Sequence, residues 1–182
     1  ITAGTLDLNG VITVAGVSYD SGRDGGGSGG GLYVDVGMLK GSGSMTAVGG
    51  AGFYAAGHWW TDGGGGGSGG RIAVYYDQVD GFDVTNKINA AGGSGFFGEN
   101  GLWYVSGGGG TIYLKQGSEV GRMVIDNRST VGGTTPLWVP AGTNYSEEIM
   151  IKGTNQWVEI WSDTITPTNM YILNGAKLIH KA

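Results

Sequence analysis

Three glycine-rich tracts recur along this chain at almost even spacing, and each leads directly into a stretch of alternating apolar residues. The tracts are Gly25–Gly31, Gly63–Gly70 and Ser106–Gly110, and the stretches that follow them are LYVDV, RIAVYY and TIYLK. These stretches begin at Leu32, Arg71 and Thr111, so the intervals are 39 and 40 residues. A fixed period of this length is typical of solenoids and repeat arrays. The sequence therefore predicts stacked repeats, whose function lies on surfaces rather than in one deep pocket.

A second strand in each repeat has its own pattern, seen in ITVAG, MTAVG, INAAG and MVIDN. Because side chains alternate with period two along a strand, equivalent positions of successive repeats should form buried columns. One predicted column contains Ile12, Met45, Ile88 and Met123, and the next contains Val14, Ala47, Ala90 and Ile125. The inward positions predicted for the first strands are Leu6, Leu8, Leu32, Val34, Ile72, Val74, Ile112 and Leu114.

Stacked columns of this kind predict an all-β fold, a single-stranded right-handed parallel β-helix (β-solenoid) with stacked glycine-rich excursions. Antiparallel hairpins would place a turn every 8–12 residues or so and would not explain the long register. We expect the glycine tracts to be ordered and adjacent, because chains without Cβ atoms can approach closely. Residues 1–133 are predicted to hold the glycine-rich repeats, and residues 134–182 to continue the same domain with shorter rungs such as WVEIW and AKLIH.

The composition narrows the classes of partner and the cellular location. Glycine supplies 41 of 182 residues, charged residues only 14%, and the net charge is −5, with ten scattered Lys and Arg side chains. A protein without a basic patch is a poor binder of nucleic acid. No apolar run approaches about 18 residues, so no membrane span is predicted. The absence of cysteine suits an exported protein. Because the chain opens at Ile1 already reading as a strand, we expect a piece of a longer, secreted polypeptide.

The segment GGGGGSGGRIAVYY, together with the apolar–x–small–x–Gly strands, resembles a known class of repeat. It is similar to the glycine-rich right-handed parallel β-helix repeats of large bacterial secreted and surface proteins. The resemblance covers residues 4–133 and implies an architecture and an extracellular setting, but no functional residue. In composition, the tracts also resemble the polyglycine sandwiches of some phage tail-fibre adhesins.

Aromatic side chains cluster in the two excursions between repeats. The predicted ligand-binding residues are His58, Trp59, Trp60, Phe97, Trp103 and Tyr104. Flat aromatic rings stack on sugar rings and provide contact area at a low cost in conformational entropy. The alternative is structural, with the same rings packed over the glycine layer as a satellite hydrophobic cluster.

Other chemistries have weaker support in the sequence. Asp77, Asp80 and Asp83 could suggest weak calcium binding, but their spacing is not that of an EF-hand, and turn-forming carboxylates are the better interpretation. Arg71, Lys87, Lys115 and Arg122 could serve a β-helix polysaccharide lyase, yet no sequence argument brings them to an acidic cluster. No catalytic residue, metal site or cofactor is predicted.

These observations predict an extracellular surface or fibre module, non-enzymatic, that presents a binding face to cell-surface glycan. The alternatives are a fragment of a β-helix polysaccharide lyase or glycoside hydrolase, and a purely structural stalk. A homo-oligomer such as a trimeric fibre is compatible with the sequence but does not follow from it.

Overall fold

The protein is all-β. The computed structural model describes residues 1–18, 24–53, 63–95, 106–128, 133–138, 147–154, 156–162 and 164–180. These residues contain thirteen strands and no helix. In this part of the chain there is accordingly no helix of the length and apolarity needed to cross a bilayer. The strands are β1 Thr2–Asp7, β2 Val11–Thr13, β3 Gly31–Lys40, β4 Ser44–Thr46, β5 Arg71–Asp80, β6 Ile88–Asn89, β7 Thr111–Gln116, β8 Arg122–Asp126, β9 Thr134–Leu137, β10 Glu148–Lys152, β11 Trp157–Ile160, β12 Asn169–Leu173 and β13 Lys177–His180.

The strands form three sheets, which we number in order of first appearance. Sheet I has seven strands in the order β1-β3-β5-β7-β8-β10-β12. Sheet II has the order β2-β4-β6, and sheet III has the order β9-β11-β13. All named pairs are parallel except β7 with β8, which are antiparallel. Consecutive strands of one sheet are therefore separated in sequence by a strand of another sheet everywhere except at that hairpin.

The predicted register of the glycine-rich repeats is confirmed. Leu32 lies beside Ile72 and Ile72 beside Ile112, which gives a period of 40 residues in sheet I. In sheet II, Ile12 lies beside Met45 and Met45 beside Ile88.

The eight inward positions predicted for the first strands all belong to one hydrophobic cluster, together with Met45, Ile88, Ala47 and Ala90. The register of β1 differs from the expectation, because Leu6 lies beside Leu39 rather than Leu32.

The glycine tracts are ordered and adjacent, as predicted. Backbone hydrogen bonds of 2.9 Å connect each tract to the next, as from the N–H of Gly26 to the carbonyl of Gly65 and from Gly69 to Gly108. The tracts also face the segments that follow the strands of sheet II. A zigzag of N–H to carbonyl bonds crosses between the two layers, from Gly107 to Gly93, Gly93 to Gly67, Gly67 to Gly50, Gly50 to Gly27 and Gly27 to Val17.

This double layer leaves no room for side chains between the chains. A Cβ atom on Gly67 would overlap the carbonyl oxygen of Gly27, and one on Gly93 would overlap that of Gly50. Ser28 and Ser68 occupy exposed positions of the first two tracts, and their hydroxyls are 3.1 Å apart. Glycine is thus required where chain meets chain, and serine is accepted where a tract meets solvent.

The predicted places of Met123 and Ile125 are wrong. Both belong to β8 of sheet I, where Met123 lies beside Tyr113 of β7 and Ile149 of β10, and not to the columns of sheet II. The cause is local. Strand β7 has six residues where β3 and β5 have ten, and the turn after it reverses the chain with Gly117 at φ 47°.

Two side chains after β8 close the end of the glycine repeats. The buried amide of Asn127 accepts a hydrogen bond from the Gly92 N–H at 2.6 Å and donates to the carbonyl of Gly107. The guanidinium of Arg128 donates to the carbonyls of Asn86 and Ile88 at 2.9 Å. These are backbone groups that a fourth repeat would have paired. Because unpaired buried polar groups destabilise a fold, Asn127 and Arg128 act as a cap on the last glycine repeat.

The reversal at β8 also divides the hydrophobic core. Val124 belongs to the cluster between sheets I and II, whereas Ile125 belongs to a second cluster with Leu137, Ile149, Ile151 and Val158. Successive side chains on a strand point to opposite faces. The two cores therefore lie on opposite faces of sheet I, the second one covered by sheet III.

We expect Gly67→Ala to destabilise the fold, because its new methyl group would meet the backbone of Gly27 rather than a side chain that can move. The loss in the free energy of unfolding should reach the upper part of the ~1–3 kcal/mol that overpacking costs. Gly4→Ala is the matched control, since nothing lies within 4 Å of its Cβ position. Urea unfolding of both variants measures the difference, and equal stabilities would contradict the layer described above.

We expect Ile88→Asp to cost several kcal/mol, about 3 or more, because Ile88 is 2% exposed and an unpaired carboxylate would be buried there. The control is Val11→Asp on β2 of the same sheet, where the side chain is 65% exposed. Thermal unfolding of the two variants should separate them clearly. A small, equal effect at both positions would mean that the sheet II column is not core.

Acid should weaken the contact between β8, β10 and β12. Hydrogen bonds from Arg122 and then Asn169 hold the pKa of Glu148 below its ordinary value of 4.5. A lowered folded-state pKa stabilises the protein above the ordinary value, and this contribution is lost as the pH falls through the folded-state pKa. We expect Glu148→Gln to remove part of the decline in stability below about pH 4.5, measured by urea unfolding at several pH values. An unchanged pH profile would contradict this role.

Candidate functional site

The six aromatic and histidine residues predicted to bind ligand lie outside the described residues. His58, Trp59, Trp60, Phe97, Trp103 and Tyr104 therefore remain predictions. The described part of the chain nevertheless carries two other aromatic surfaces, one on sheet III and one on sheet I.

The first is a tryptophan face, which we define as Trp138, Trp157 and Trp161 on the outer side of sheet III. Their side chains are 65%, 42% and 49% exposed. Trp157 opens β11 and Trp161 follows its end, four residues later and on the same face. The backbone N–H of Trp161 donates to the backbone carbonyl of Leu137 at 2.9 Å, which places Trp161 beside Trp138. Three large rings thus lie on one side of a three-stranded sheet.

Alternation along β11 explains why these rings face outward. Val158 is fully buried in the second core, so its neighbours Trp157 and Glu159 point to the opposite face. In register beside them lie Thr134 and Pro136 of β9 and Lys177 and Ile179 of β13. The outer face of sheet III is therefore a continuous mixture of apolar rings and a few polar groups.

Polar contacts fix two of the rings. The Lys177 ammonium lies 4.8 Å from the centroid of the Trp157 ring, in a cation–π contact. The indole Nε1 of Trp161 donates to a Glu159 carboxylate oxygen at 2.7 Å. Side chains held in this way lose little entropy when a ligand binds, so the face is prepared for contact.

The second aromatic surface is a tyrosine row on the outer face of sheet I. Ring centroids of Tyr33 and Tyr75 are 5.4 Å apart, and so are those of Tyr75 and Tyr113, with interplanar angles of 42° and 47°. The Tyr33 hydroxyl donates to Asp35 at 3.3 Å. Partial desolvation, and then the charge of Asp35, raise the pKa of Tyr33, so its hydroxyl stays protonated and able to donate near neutral pH.

A recess of about 230 Å³ lies beside the tyrosine row, where β7 ends and sheet I continues. Tyr75, Asp35, Asp77 and Lys115 contribute side chains to its wall, and the turn residue Gly117 borders it. A smaller and more enclosed cavity, of about 80 Å³, lies on the other face of sheet I between Ile88, Leu114 and Met150.

The aspartates considered for calcium do not act together. The Asp83 carboxylate accepts hydrogen bonds from the side-chain amide of Asn86 and from the backbone N–H groups of Asn86 and Thr85, which lower the pKa of Asp83. This is the turn-forming role favoured by the sequence. Within the described ranges no group of three or more Asp, Glu or His side chains could hold a metal ion.

The basic residues considered for lyase chemistry are dispersed in the structure. Arg122 pairs with Glu148 at 2.7 Å, across β8 and β10. Arg71 and Lys115 lie on neighbouring strands but four positions apart in register, since Arg71 is beside Thr111 and Lys115 beside Tyr75.

Sequence reasoning missed both aromatic surfaces, although a signal for each was present. In LYVDV, VYYD and TIYLK, a tyrosine occupies an outward position of each first strand. In WVEIW, two tryptophans flank an alternating strand at a separation that puts them on one face. Attention to the outward positions, rather than to the excursions alone, would have found them.

Comparison of the chain with family models, curated proteins and solved structures finds no match. A function for the chain therefore has to come from the chemistry of its own surfaces.

Proposed function

We propose that this chain is a right-handed parallel β-helix, with residues 1–133 and 134–182 as two parts of one solenoid domain. The support is the parallel pairing of β1, β3, β5 and β7 in one sheet and of β2, β4 and β6 in another, at equivalent positions of the repeat. Right-handed crossovers are the rule for parallel strands of one sheet. The hairpin at β7–β8 divides the domain into two stacks that share sheet I.

This domain serves as a surface module of an extracellular bacterial or phage protein, and it recognises cell-surface glycan. The observation that carries the proposal is the tryptophan face, with three exposed rings on one sheet. Large exposed apolar patches on soluble proteins mark interaction sites. A sheet surface is flat, so it suits an extended polysaccharide better than a compact ligand that needs a deep pocket.

Glycan is the favoured ligand class because of the chemistry of the face. Aromatic rings pack against the C–H faces of sugar rings, while Lys177 and Glu159 offer a donor and an acceptor to hydroxyl groups. Trp157 and Trp161 are four residues apart on one extended chain, roughly 13 Å at the usual rise of a strand. A sugar chain lying along β11 could therefore contact both rings at once.

The glycine double layer supports a second role for the same molecule as a spacer. Its backbone bonds run continuously through the repeats, from Val17 to Gly107. A scaffold of this kind would hold the tryptophan face at a fixed place on a longer fibre.

We expect Trp161→Ala to weaken glycan binding by about 1–3 kcal/mol, or roughly 5- to 150-fold, as is usual for a central aromatic anchor. Trp138→Ala should act in the same direction, while the melting temperature stays within a few degrees because both rings are exposed. Tyr171→Ala is the matched control, as it removes an exposed ring (38%) from sheet I.

Binding is measured on a glycan array and by co-sedimentation with insoluble polysaccharides. If the wild-type protein binds no glycan, or if the tryptophan variants bind as well as the wild type, the proposal is wrong. A release of reducing ends or unsaturated uronates by the wild-type protein would instead identify a polysaccharide-degrading enzyme.

A further inference from the structure

We propose that the recess beside the tyrosine row is a second binding site, which holds one neutral sugar ring of a glycan chain. The recess is formed by Tyr75, Asp35, Asp77 and Lys115. It lies on sheet I, whereas the tryptophan face lies on sheet III. This inference rests on the proposed function and specifies the class of sugar that one of the two surfaces accepts.

The aromatic wall of the recess is held in place before any ligand arrives. Tyr75 lies between Tyr33 and Tyr113, with both ring centroids at 5.4 Å. Tyr113 is itself fixed, because its hydroxyl donates to Glu147 at 3.3 Å and its ring lies against the backbone of Gly121. A ring flanked on both sides gives up little freedom when it stacks on a ligand.

The polar groups of the recess match a neutral sugar better than an acidic one. Asp35 and Asp77 can only accept hydrogen bonds, and Lys115 can only donate them. A pair of neighbouring hydroxyls donates and accepts at once, so it can satisfy both kinds of group. A uronate would be opposed by the two carboxylates, which outnumber the single lysine.

The size of the recess supports a single ring. Its volume of about 230 Å³ falls below the ~300–1,000 Å³ of pockets that enclose drug-sized ligands. The recess lies at the end of β7 and is partly open to solvent. One ring can therefore enter while the rest of the chain stays in solvent or follows the sheet.

The test uses the 182-residue chain and soluble oligosaccharides, observed by amide chemical shifts in NMR. The probes are neutral tetrasaccharides of glucose, mannose and galactose, a galacturonate trimer and a glucosamine tetramer. We expect at least one neutral probe to shift the amides of Tyr75, Asp35 and Lys115, and the galacturonate trimer to bind at least tenfold more weakly. Tyr75→Ala and Asp35→Ala should each weaken that neutral probe at least fivefold.

Two controls keep the outcome interpretable. Asp80→Ala removes an exposed carboxylate from the end of the same strand as Asp77 but outside the recess, and it should bind as the wild type does. Tyr75→Phe keeps the ring and should retain most of the affinity, which separates loss of stacking from loss of folding.

The results distinguish failure of this site from failure of the proposed function. If tryptophan-dependent binding to polysaccharide is present but no neutral probe shifts the recess amides, the second site is wrong and the proposed function stands. If a charged probe binds the recess more tightly than every neutral probe, the assignment to neutral sugar is overturned. If the protein binds no glycan in either assay, both proposals fail.

Discussion

The structure depends on backbone hydrogen bonds between glycine segments that lie too close for any side chain. The zigzag from Gly107 through Gly67 to Val17 ties the repeats together along the stack, in addition to the strand pairing of sheets I and II. Fixing a glycine chain costs more conformational entropy than fixing any other residue. Hydrogen bonds to neighbouring chains must offset this loss of entropy. A single glycine loop would make few such bonds, whereas two facing layers of chains make many.

The end of this layer determines the rest of the architecture. A stack of parallel strands leaves unpaired N–H and carbonyl groups at its last rung, and here Asn127 and Arg128 satisfy several of them. To bring these side chains into place, β8 returns beside β7 instead of starting another repeat in sheet II. The chain then builds its second core on the opposite face of sheet I, and sheet III covers that core.

The sequence predicts the repeating part of the fold well, because period and alternation are local properties. The columns of Ile12, Met45 and Ile88 and the adjacent glycine tracts follow directly from them. The reversal at Gly117 could not be predicted, because MVIDN has the same pattern as the earlier second strands. It differs from them only in its partner, since as β8 it pairs with β7 of sheet I rather than with a strand of sheet II. The local pattern of WVEIW indicates Trp157 and Trp161 as outward positions, whereas the place of Trp138 beside Trp161 depends on the pairing of β9 with β11, which is not a local property.

The glycine layer has a consequence for how such a chain can change over generations. Positions such as Gly67 and Gly93 tolerate no replacement without displacing a neighbouring backbone, whereas outward positions such as Trp157 and Lys177 carry exposed side chains. Variation is thereby directed away from the scaffold and toward the outward faces of the sheets. A lineage that keeps its glycines can exchange Trp157, Tyr75 or Lys177 one at a time and so change the chemistry of its surface on the same support.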